Sequence, residues 1–139
     1  MSNVAYDQVE VGTAIPEQRF PIQRVNLIMY AGASGDFNPI HWNEPFAKAV
    51  GLPDVIAHGM LTMAEAARVI TDWTGDPAAL VDWGVRFTRP VVVPAEGGAE
   101  LVVGGTVTEK LDGNRVAVDI EARSNGEKVL AKARAVVQL

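Results

Sequence analysis

The sequence predicts an α+β fold in which an antiparallel sheet wraps around one long helix. Residues 81–139 alternate apolar and polar side chains with a period of two, as half-buried strands do, whereas residues 25–74 lack this alternation. The segment Met60–Trp73 is apolar around most of a helix, so a larger element must enclose much of it. The alternating residues 81–139 are the one part of the chain large enough to enclose this helix.

Four strands are expected in the alternating part. Asp112-Gly113 and Asn125-Gly126 separate two pairs of these strands, and such dipeptides favour the positive φ angles of tight hairpin turns. The strands therefore form an antiparallel meander. Its unpaired edge favours dimerisation by edge pairing, and the alternative is that charges on the outer face protect the edge. The residues expected on its apolar face are Val81, Trp83, Val85 and Phe87, then Leu101, Val103 and Val107, then Val116, Val118, Ile120 and Ala122, and last Val129, Ala131, Ala133, Ala135 and Val137.

The long helix is expected over about residues 59–74, with Gly75 as its C-terminal stop. A narrow polar stripe on it passes through Glu65, Arg68 and Asp72. The chain before this helix is expected to hold two shorter helices, at about 25–33 and 45–50, and two loops, 34–44 and 51–59. With 139 residues and no linker or repeat, the chain is expected to be one domain spanning residues 1–139.

Composition excludes several function classes. Twelve Lys and Arg against 17 Asp and Glu give a net charge of −5 without a basic cluster, which argues against nucleic-acid binding. The chain has no Cys, so it has no disulfide and no thiolate metal site. No signal peptide is evident, and the longest uncharged run, Val25–Gly35, is too short and too polar to span a bilayer. We expect a soluble cytoplasmic protein with no membrane partner.

The loop 34–44 carries the first group of candidate residues, Asp36, Asn38 and His41. A turn can bring a carboxylate and an imidazole to one point, where they suit general acid–base chemistry near neutral pH. Asn38 either shapes the turn or orients the carboxylate. The alternative is that these are ordinary turn residues around Pro39. No helical spacing supports a metal site built from Asp36, His41 and His58.

The loop 51–59 leads directly into the long helix and ends in His58-Gly59, followed by Met60. A helix N-terminus presents free N–H groups, and a ligand oxygen could approach the Gly59 amide closely because glycine has no side chain. Such a donor would stabilise an enolate. In the alternative interpretation Gly59 is a capping residue, and His58 is a structural residue bonded to the backbone. Arg86, on the first predicted strand, could contact a phosphate or simply face solvent.

Residues 30–63, YAGASGDFNPIHWNEPFAKAVGLPDVIAHGMLTM, resemble the MaoC-like dehydratase family of hotdog-fold proteins, which includes the (R)-specific enoyl-CoA hydratases. The segment VDWGVRFTRPVVVP also resembles a family strand, so the similarity covers nearly the whole chain. It resembles most closely the HadB-like catalytic subunit of (3R)-hydroxyacyl-ACP dehydratases.

This resemblance implies a single hotdog fold that dimerises through its sheets. It implies reversible conversion of (3R)-3-hydroxyacyl thioesters, linked to CoA or ACP, into trans-2-enoyl thioesters without a metal or other cofactor. Asp36 and His41 would hold the catalytic water with support from Asn38, and the Gly59 amide would bind the thioester oxygen. His58, Met60 and Arg86 would contribute to substrate binding. The dimer would be a homodimer or a heterodimer with a second hotdog subunit.

Two alternatives remain open. A hotdog thioesterase would use a helix carboxylate such as Glu65 to activate water, and a non-catalytic acyl-binding subunit would need no acid–base pair. The presence of both Asp36 and His41 disfavours each alternative.

Overall fold

A computed structural model describes residues 1–139, and its six strands form one antiparallel sheet. The strands are β1 (Ala14–Ile22), β2 (Leu80–Phe87), β3 (Ala99–Leu111), β4 (Arg115–Ser124), β5 (Glu127–Lys128) and β6 (Leu130–Gln138). They lie in the order β1-β3-β4-β6-β2, and the short β5 pairs with the end of β4. The helices are α1 (Arg24–Ser34), α2 (Glu44–Ala49) and α3 (Gly59–Thr74), with 3₁₀ turns at Tyr6–Gln8, Pro39–His41 and Pro77–Ala79.

Helix α3 packs on the sheet against β1, β2 and β3. Its buried side is formed by Thr62, Ala66, Val69, Ile70 and Thr74, and this side joins the inward-facing valines and leucine of β3 in one core. The helix ends at Gly75, whose φ of 68° is the left-handed conformation that favours glycine. The predicted α+β fold, with an antiparallel sheet and one long helix over 59–74, is confirmed.

Helix α3 is largely enclosed, as predicted, because most of its residues are buried or partly buried and only Gly59, Met60, Ala64, Arg68 and Asp72 are exposed. Met60 is 57% exposed and Ala64 is also exposed. Both residues lie in line with Arg68 and Asp72 at a spacing of four, so the exposed strip is narrow and is apolar only near the helix start. Within the predicted polar stripe, Glu65 pairs with Arg68 at 2.9 Å.

The predicted apolar faces are correct for β3 and β4 but fail in part for β2 and β6. Val81 and Phe87 are half exposed because β2 is the outermost strand. In β6, Ala131 is only partly buried, because Lys132 adopts a φ of 47° and the pairing with β2 slips there by one residue. This irregularity is a bulge, which shifts the alternation of side chains along a strand.

Strand β1 was not predicted, because Pro16 and Pro21 interrupt its alternation. Both prolines are tolerated since β1 lies at the other edge of the sheet, where one side of the strand donates no ladder bonds. The pairing with β3 is irregular between Ile15 and Gln18, next to Pro16. Phe20 and Ile22 are nevertheless buried in the core.

The hairpin turns follow the predicted glycines. Asn125 and Gly126 have φ angles of 53° and 77°, as a type I′ turn requires. In the other hairpin the positive φ angles fall on Gly113 and Asn114, one residue later than the predicted Asp112-Gly113 pair. No helix of the chain combines the length and apolar character that a membrane crossing needs.

Two hydrogen-bonded connections hold the predicted loops 34–44 and 51–59 next to each other. The amide of Ile56 donates to the carbonyl of Ile40 at 3.1 Å. Arg24, the first residue of α1, pairs with Glu44 of the first loop at 3.2 Å and with Asp54 of the second at 2.6 Å, and it donates to the Val93 carbonyl at 2.5 Å. The two loops that carry the candidate residues are therefore anchored to α1 and to the segment that follows β2.

Candidate active site

The loop after α1 turns sharply and brings Asp36 back toward His41. Helix α1 ends at Gly35 in the left-handed conformation, with a φ of 77°. The Asn38 side chain caps the following 3₁₀ turn by accepting a bond from the Ile40 amide at 3.2 Å. The Asn38 main-chain N–H donates to Asp36 Oδ1, also at 3.2 Å. The side chain of Asn38 thus shapes the turn, whereas the bond to Asp36 comes from the backbone at this position, and a supporting role of Asn38 in catalysis stays a prediction.

His41 is held in one orientation by the backbone of the second loop. Its Nδ1 lies 2.7 Å from the carbonyl oxygen of Ile56. Because a carbonyl oxygen only accepts, Nδ1 carries the proton, and Nε2 of the neutral ring has a free lone pair. That Nε2 lies 3.8 Å from Asp36 Oδ2. The structure thus brings the predicted acid–base pair together.

Burial keeps the imidazole of His41 uncharged. The residue is 6% exposed, and desolvation lowers the pKa of His41 below its ordinary value of 6.5, with His58 acting in the same direction. The bond to Ile56 and the carboxylate of Asp36 oppose this shift without overcoming it. His41 is therefore available as a base at neutral pH. The Asp36 side chain is 54% exposed and so accessible to a ligand.

His58 is buried behind this pair, with 2% of its surface exposed. Its Nε2 donates to the main-chain oxygen of Asp36 at 3.0 Å. Its ring stacks on the ring of His41, with centroids 3.7 Å apart and planes inclined by 20°, and the Tyr30 ring lies 4.7 Å away on a tilted plane. The expected backbone bond of His58 is present, and the burial leaves little ring surface for direct contact with a substrate.

Gly59 is the first residue of α3 and does not cap it. The N-cap is His58, whose side chain makes no capping bond, and the first turn holds no acidic residue. The free N–H groups and the positive end of the helix are thus left for another acceptor. A Cβ added at Gly59 would lie 3.2–3.3 Å from the Phe87 ring, so this ring occupies the space of a side chain.

The remaining candidates, Met60, Arg86 and Glu65, occupy different positions relative to the Asp36–His41 pair. Met60 is 57% exposed beside Gly59, whereas Arg86 is an exposed residue of the edge strand β2 and makes no hydrogen bond or ion pair with Asp36. The structure does not bring Arg86 together with Asp36. Glu65 is tied to Arg68 at 2.9 Å, which leaves it poorly placed to activate water as a thioesterase carboxylate.

Sequence reasoning did not assign Tyr30 or Phe87 to the site. Tyr30 lies on α1, and Phe87 was placed on the apolar face of a strand, far along the chain from Gly59. Both reach the site through tertiary packing alone. No local pattern in the sequence could have indicated these contacts.

One side-chain atom from each of Asp36, His41 and His58 falls within 4.8 Å of the others, a grouping that the sequence spacing did not indicate. Two imidazoles and a carboxylate are ligand types that zinc accepts. Imidazole lone pairs lie in the ring plane, however, and the two stacked rings are inclined by only 20°. Their planes meet far from the rings, so both cannot ligate one ion, and the prediction of no metal stays a prediction.

The sequence model that defines the MaoC like domain family matches residues 8–125, which is most of the chain. The chain belongs to the MaoC like domain family. This membership confirms the family predicted from residues 30–63, and the hotdog fold predicted with it. The finer likeness to a HadB-type subunit stays a prediction.

Three relatives illustrate the similarity. The 3-hydroxyacyl-thioester dehydratase X of Mycobacterium tuberculosis is 44% identical over 75 residues, which are 54% of this chain and 26% of that protein. The (R)-specific enoyl-CoA hydratase of Rhodospirillum rubrum is 34% identical over 90 residues, 64% of this chain and 62% of that one. The solved structure of unliganded R-hydratase PhaJ1 from Pseudomonas aeruginosa is 32% identical, with a TM-score of 0.85 over 99% of this chain and 86% of that chain. The chain thus spans less than two thirds of either curated relative.

Proposed function

We propose that this MaoC-family chain catalyses the reversible dehydration of (3R)-3-hydroxyacyl thioesters to trans-2-enoyl thioesters. The observation that carries the proposal is the pairing of the unprotonated His41 Nε2 with Asp36 Oδ2 at 3.8 Å, beside the uncapped start of α3. Relatives named as an (R)-specific enoyl-CoA hydratase and a 3-hydroxyacyl-thioester dehydratase support the same chemistry.

The gap between His41 and Asp36 suits a water molecule. Both atoms accept hydrogen bonds in the neutral-imidazole, ionised-carboxylate state, so a direct bond between them would lack a proton. A water has two protons and can donate one to each atom while its oxygen faces the substrate. During hydration the water oxygen would bond to C3, one proton would pass to the pair, and a proton would return from it to C2. Dehydration runs through the same steps in reverse.

The N-terminus of α3 would bind the thioester oxygen. As charge develops on that oxygen in the enolate-like transition state, a preorganised N–H at Gly59 stabilises it, and the helix dipole acts in the same direction. The lack of a capping side chain and of first-turn carboxylates leaves this position open to a ligand. Met60 would line the approach, because it is exposed at the same end of the helix.

We further propose that the active unit is a dimer formed through β2, with a second copy or with another hotdog subunit. The edge formed by β1 is interrupted by Pro16 and Pro21, whereas β2 has no proline and is open to pairing. Val81 and Phe87 on β2 are 50% and 48% exposed, as residues awaiting a partner surface would be.

The decisive experiment is an ultraviolet assay of the purified chain with crotonyl-CoA. The enoyl-thioester absorbance should fall, and the product should be (R)-3-hydroxybutyryl-CoA, because a carbonyl-polarising donor and an acid–base pair add water across the double bond. The same assay with an enoyl group on an acyl carrier protein would establish the preferred carrier. Release of free thiol without hydration, or no reaction with either carrier in the presence of a hotdog partner, would contradict the proposal.

A further inference from the structure

His58 connects three parts of the candidate site. Its Nε2–H donates to the main-chain oxygen of Asp36 at 3.0 Å, and its ring stacks on His41 with 3.7 Å between centroids. It is also the residue directly before Gly59, at the start of α3. Because the residue is 2% exposed, these contacts are internal to the chain.

The other ring nitrogen of His58 is unusual. Nδ1 is buried and has no hydrogen-bond partner, and it is the single buried side-chain nitrogen or oxygen in the chain with this property. Buried polar atoms are nearly always hydrogen-bonded, so each exception calls for an explanation. A phenylalanine would avoid the unpartnered atom but could not donate to Asp36. A glutamine could donate but could not stack on His41.

Asp36 depends on this bond for its attachment to the rest of the fold. Its other hydrogen bonds are local: its amide donates to the Ser34 hydroxyl at 3.1 Å, and its carboxylate accepts from the Asn38 amide. The bond from His58 is the one that reaches another segment of the chain. A reacting group displaced by about 1 Å can lose roughly a hundredfold in rate, so this anchorage matters for acid–base chemistry.

We propose that His58 is a positioning residue, whose Nε2–H fixes the Asp36 loop and whose ring face holds the His41 imidazole in its orientation toward Asp36. The effect on rate rests on the proposed function, whereas the effect on ring orientation does not. The unpartnered Nδ1 is then the consequence of placing one side chain where both a donor and a flat ring are required. The substrate-binding role expected for His58 becomes indirect.

Two variants separate the two contacts. His58→Gln keeps an N–H donor and removes the ring, and His58→Phe keeps a ring and removes the donor. With crotonyl-CoA as substrate, each should lower kcat by about tenfold or more while KM stays within about threefold, because geometry rather than binding is lost. The exposed Asp72, on the distal part of α3, supplies the control Asp72→Asn.

The pH profile reports the surroundings of His41 separately from the stability of the fold, because His58 lowers the pKa of His41. The groups facing His41 are Asp36 and His58, with Tyr30 behind His58. Once His58 is replaced, Asp36 remains and favours the protonated imidazole, so the acid limb of kcat/KM should move to higher pH in both variants. A folded variant with kcat within about threefold of the wild type and an unmoved acid limb would overturn the proposal.

Nitrogen NMR of the imidazoles tests the geometry without any substrate. The chain has two histidines, so each His58 variant leaves the signals of His41 alone. We expect the wild type to carry protons on His58 Nε2 and His41 Nδ1, and His58→Gln to shift or broaden the His41 ring signals because the stacked ring that holds its orientation is gone. A proton on His58 Nδ1, or an unchanged His41 in His58→Gln, would refute the positioning role. If the wild type were inactive with both carriers in the presence of a hotdog partner, while His58→Gln still changed the His41 signals, the proposed function would be refuted and the ring-holding role of His58 supported.

Discussion

His41 donates its Nδ1–H to the carbonyl oxygen of Ile56 at 2.7 Å, and this bond selects the nitrogen that faces Asp36. Ile56 is itself fixed, because its amide donates to the carbonyl of Ile40, the residue before His41. The two loops therefore hold each other, and the free lone pair of His41 Nε2 is a consequence of backbone geometry. Because His41 is already held in this orientation, it needs no rearrangement when substrate binds.

The first prediction concerns pH. Burial, followed in size by the opposing bond to Ile56, sets the pKa of His41 below 6.5, so the neutral base persists into mildly acidic solution. We expect the acid limb of kcat/KM for hydration to reach half of its plateau value below pH 6.5, because the pKa of His41 is lowered. The measurement is a pH–rate profile with crotonyl-CoA, which reports the free enzyme's essential groups. A half-maximal rate at pH 6.5 or above would contradict the assignment.

A second prediction concerns the pair itself. Asp36→Asn and His41→Ala should each lower kcat by roughly a hundredfold or more, as removal of a general acid or base commonly does. Asp36→Asn preserves the shape of the side chain while removing its charge. Circular dichroism should show unchanged folding, and Asp72→Asn serves as a charge-matched control on an exposed position. Near-wild-type rates in either folded variant would show that the pair does not carry the reaction.

A third prediction separates hydration from thioester hydrolysis. Glu65 lies on α3 and is bound to Arg68, so Glu65→Gln should leave hydration within about threefold of the wild-type rate. The change should have no effect on free-thiol release, measured with a thiol reagent. If Glu65→Gln abolished release of CoA from an acyl-CoA, Glu65 would be the catalytic carboxylate of a thioesterase.

Much of this fold could be predicted because its signals are local. The alternation in β3 and β4, the apolar α3 and the stop at Gly75 are each visible within a few residues of sequence. Strand β1 escaped prediction because its two prolines conceal the alternation, and their tolerance depends on a position at the sheet edge. The exposure of β2 was missed for a similar reason, because the order of the strands in the sheet places β2 at the other edge.

For the site, the sequence predicted that Asp36 and His41 meet, but not how they meet. Asp36 and His41 lie five positions apart in a turn, so their proximity is local. The tautomer of His41 depends on Ile56, and the space where a side chain at Gly59 would lie is filled by Phe87, both from segments outside that turn. Such relationships arise from tertiary packing, which periodicity and spacing do not encode.

A fourth prediction addresses assembly. A lysine in place of Val81 would put a charge on the open edge at β2, where burial of an unpaired ammonium is costly, so Val81→Lys should shift the dimer toward monomer. Light scattering coupled to size exclusion measures this directly. Val11→Lys is the matched control, because Val11 is the same residue type and 62% exposed outside the strands. An unchanged dimer in Val81→Lys would exclude β2 as the interface.

The last prediction tests the start of α3. Gly59→Ala would place a methyl group 3.2–3.3 Å from the Phe87 ring, so either the ring or the helix start must shift by a few tenths of an ångström. Because the amide at this position is proposed to meet the thioester oxygen, kcat should fall by about tenfold or more, as displacement of an oxyanion donor does. Steady-state kinetics with crotonyl-CoA measure the loss.

Gly32→Ala is the matched control for that change. Gly32 lies inside α1 with open space where the methyl group would go, so the substitution should raise the free energy of unfolding by about 0.5–1 kcal/mol and leave kcat unchanged. In the double variant Gly59→Ala with Phe87→Ala, the crowding is relieved, and kcat should recover in part. If Gly59→Ala alone kept full activity, the Phe87 contact would be irrelevant to the donor, and the oxyanion role of the Gly59 amide would have to be assigned elsewhere.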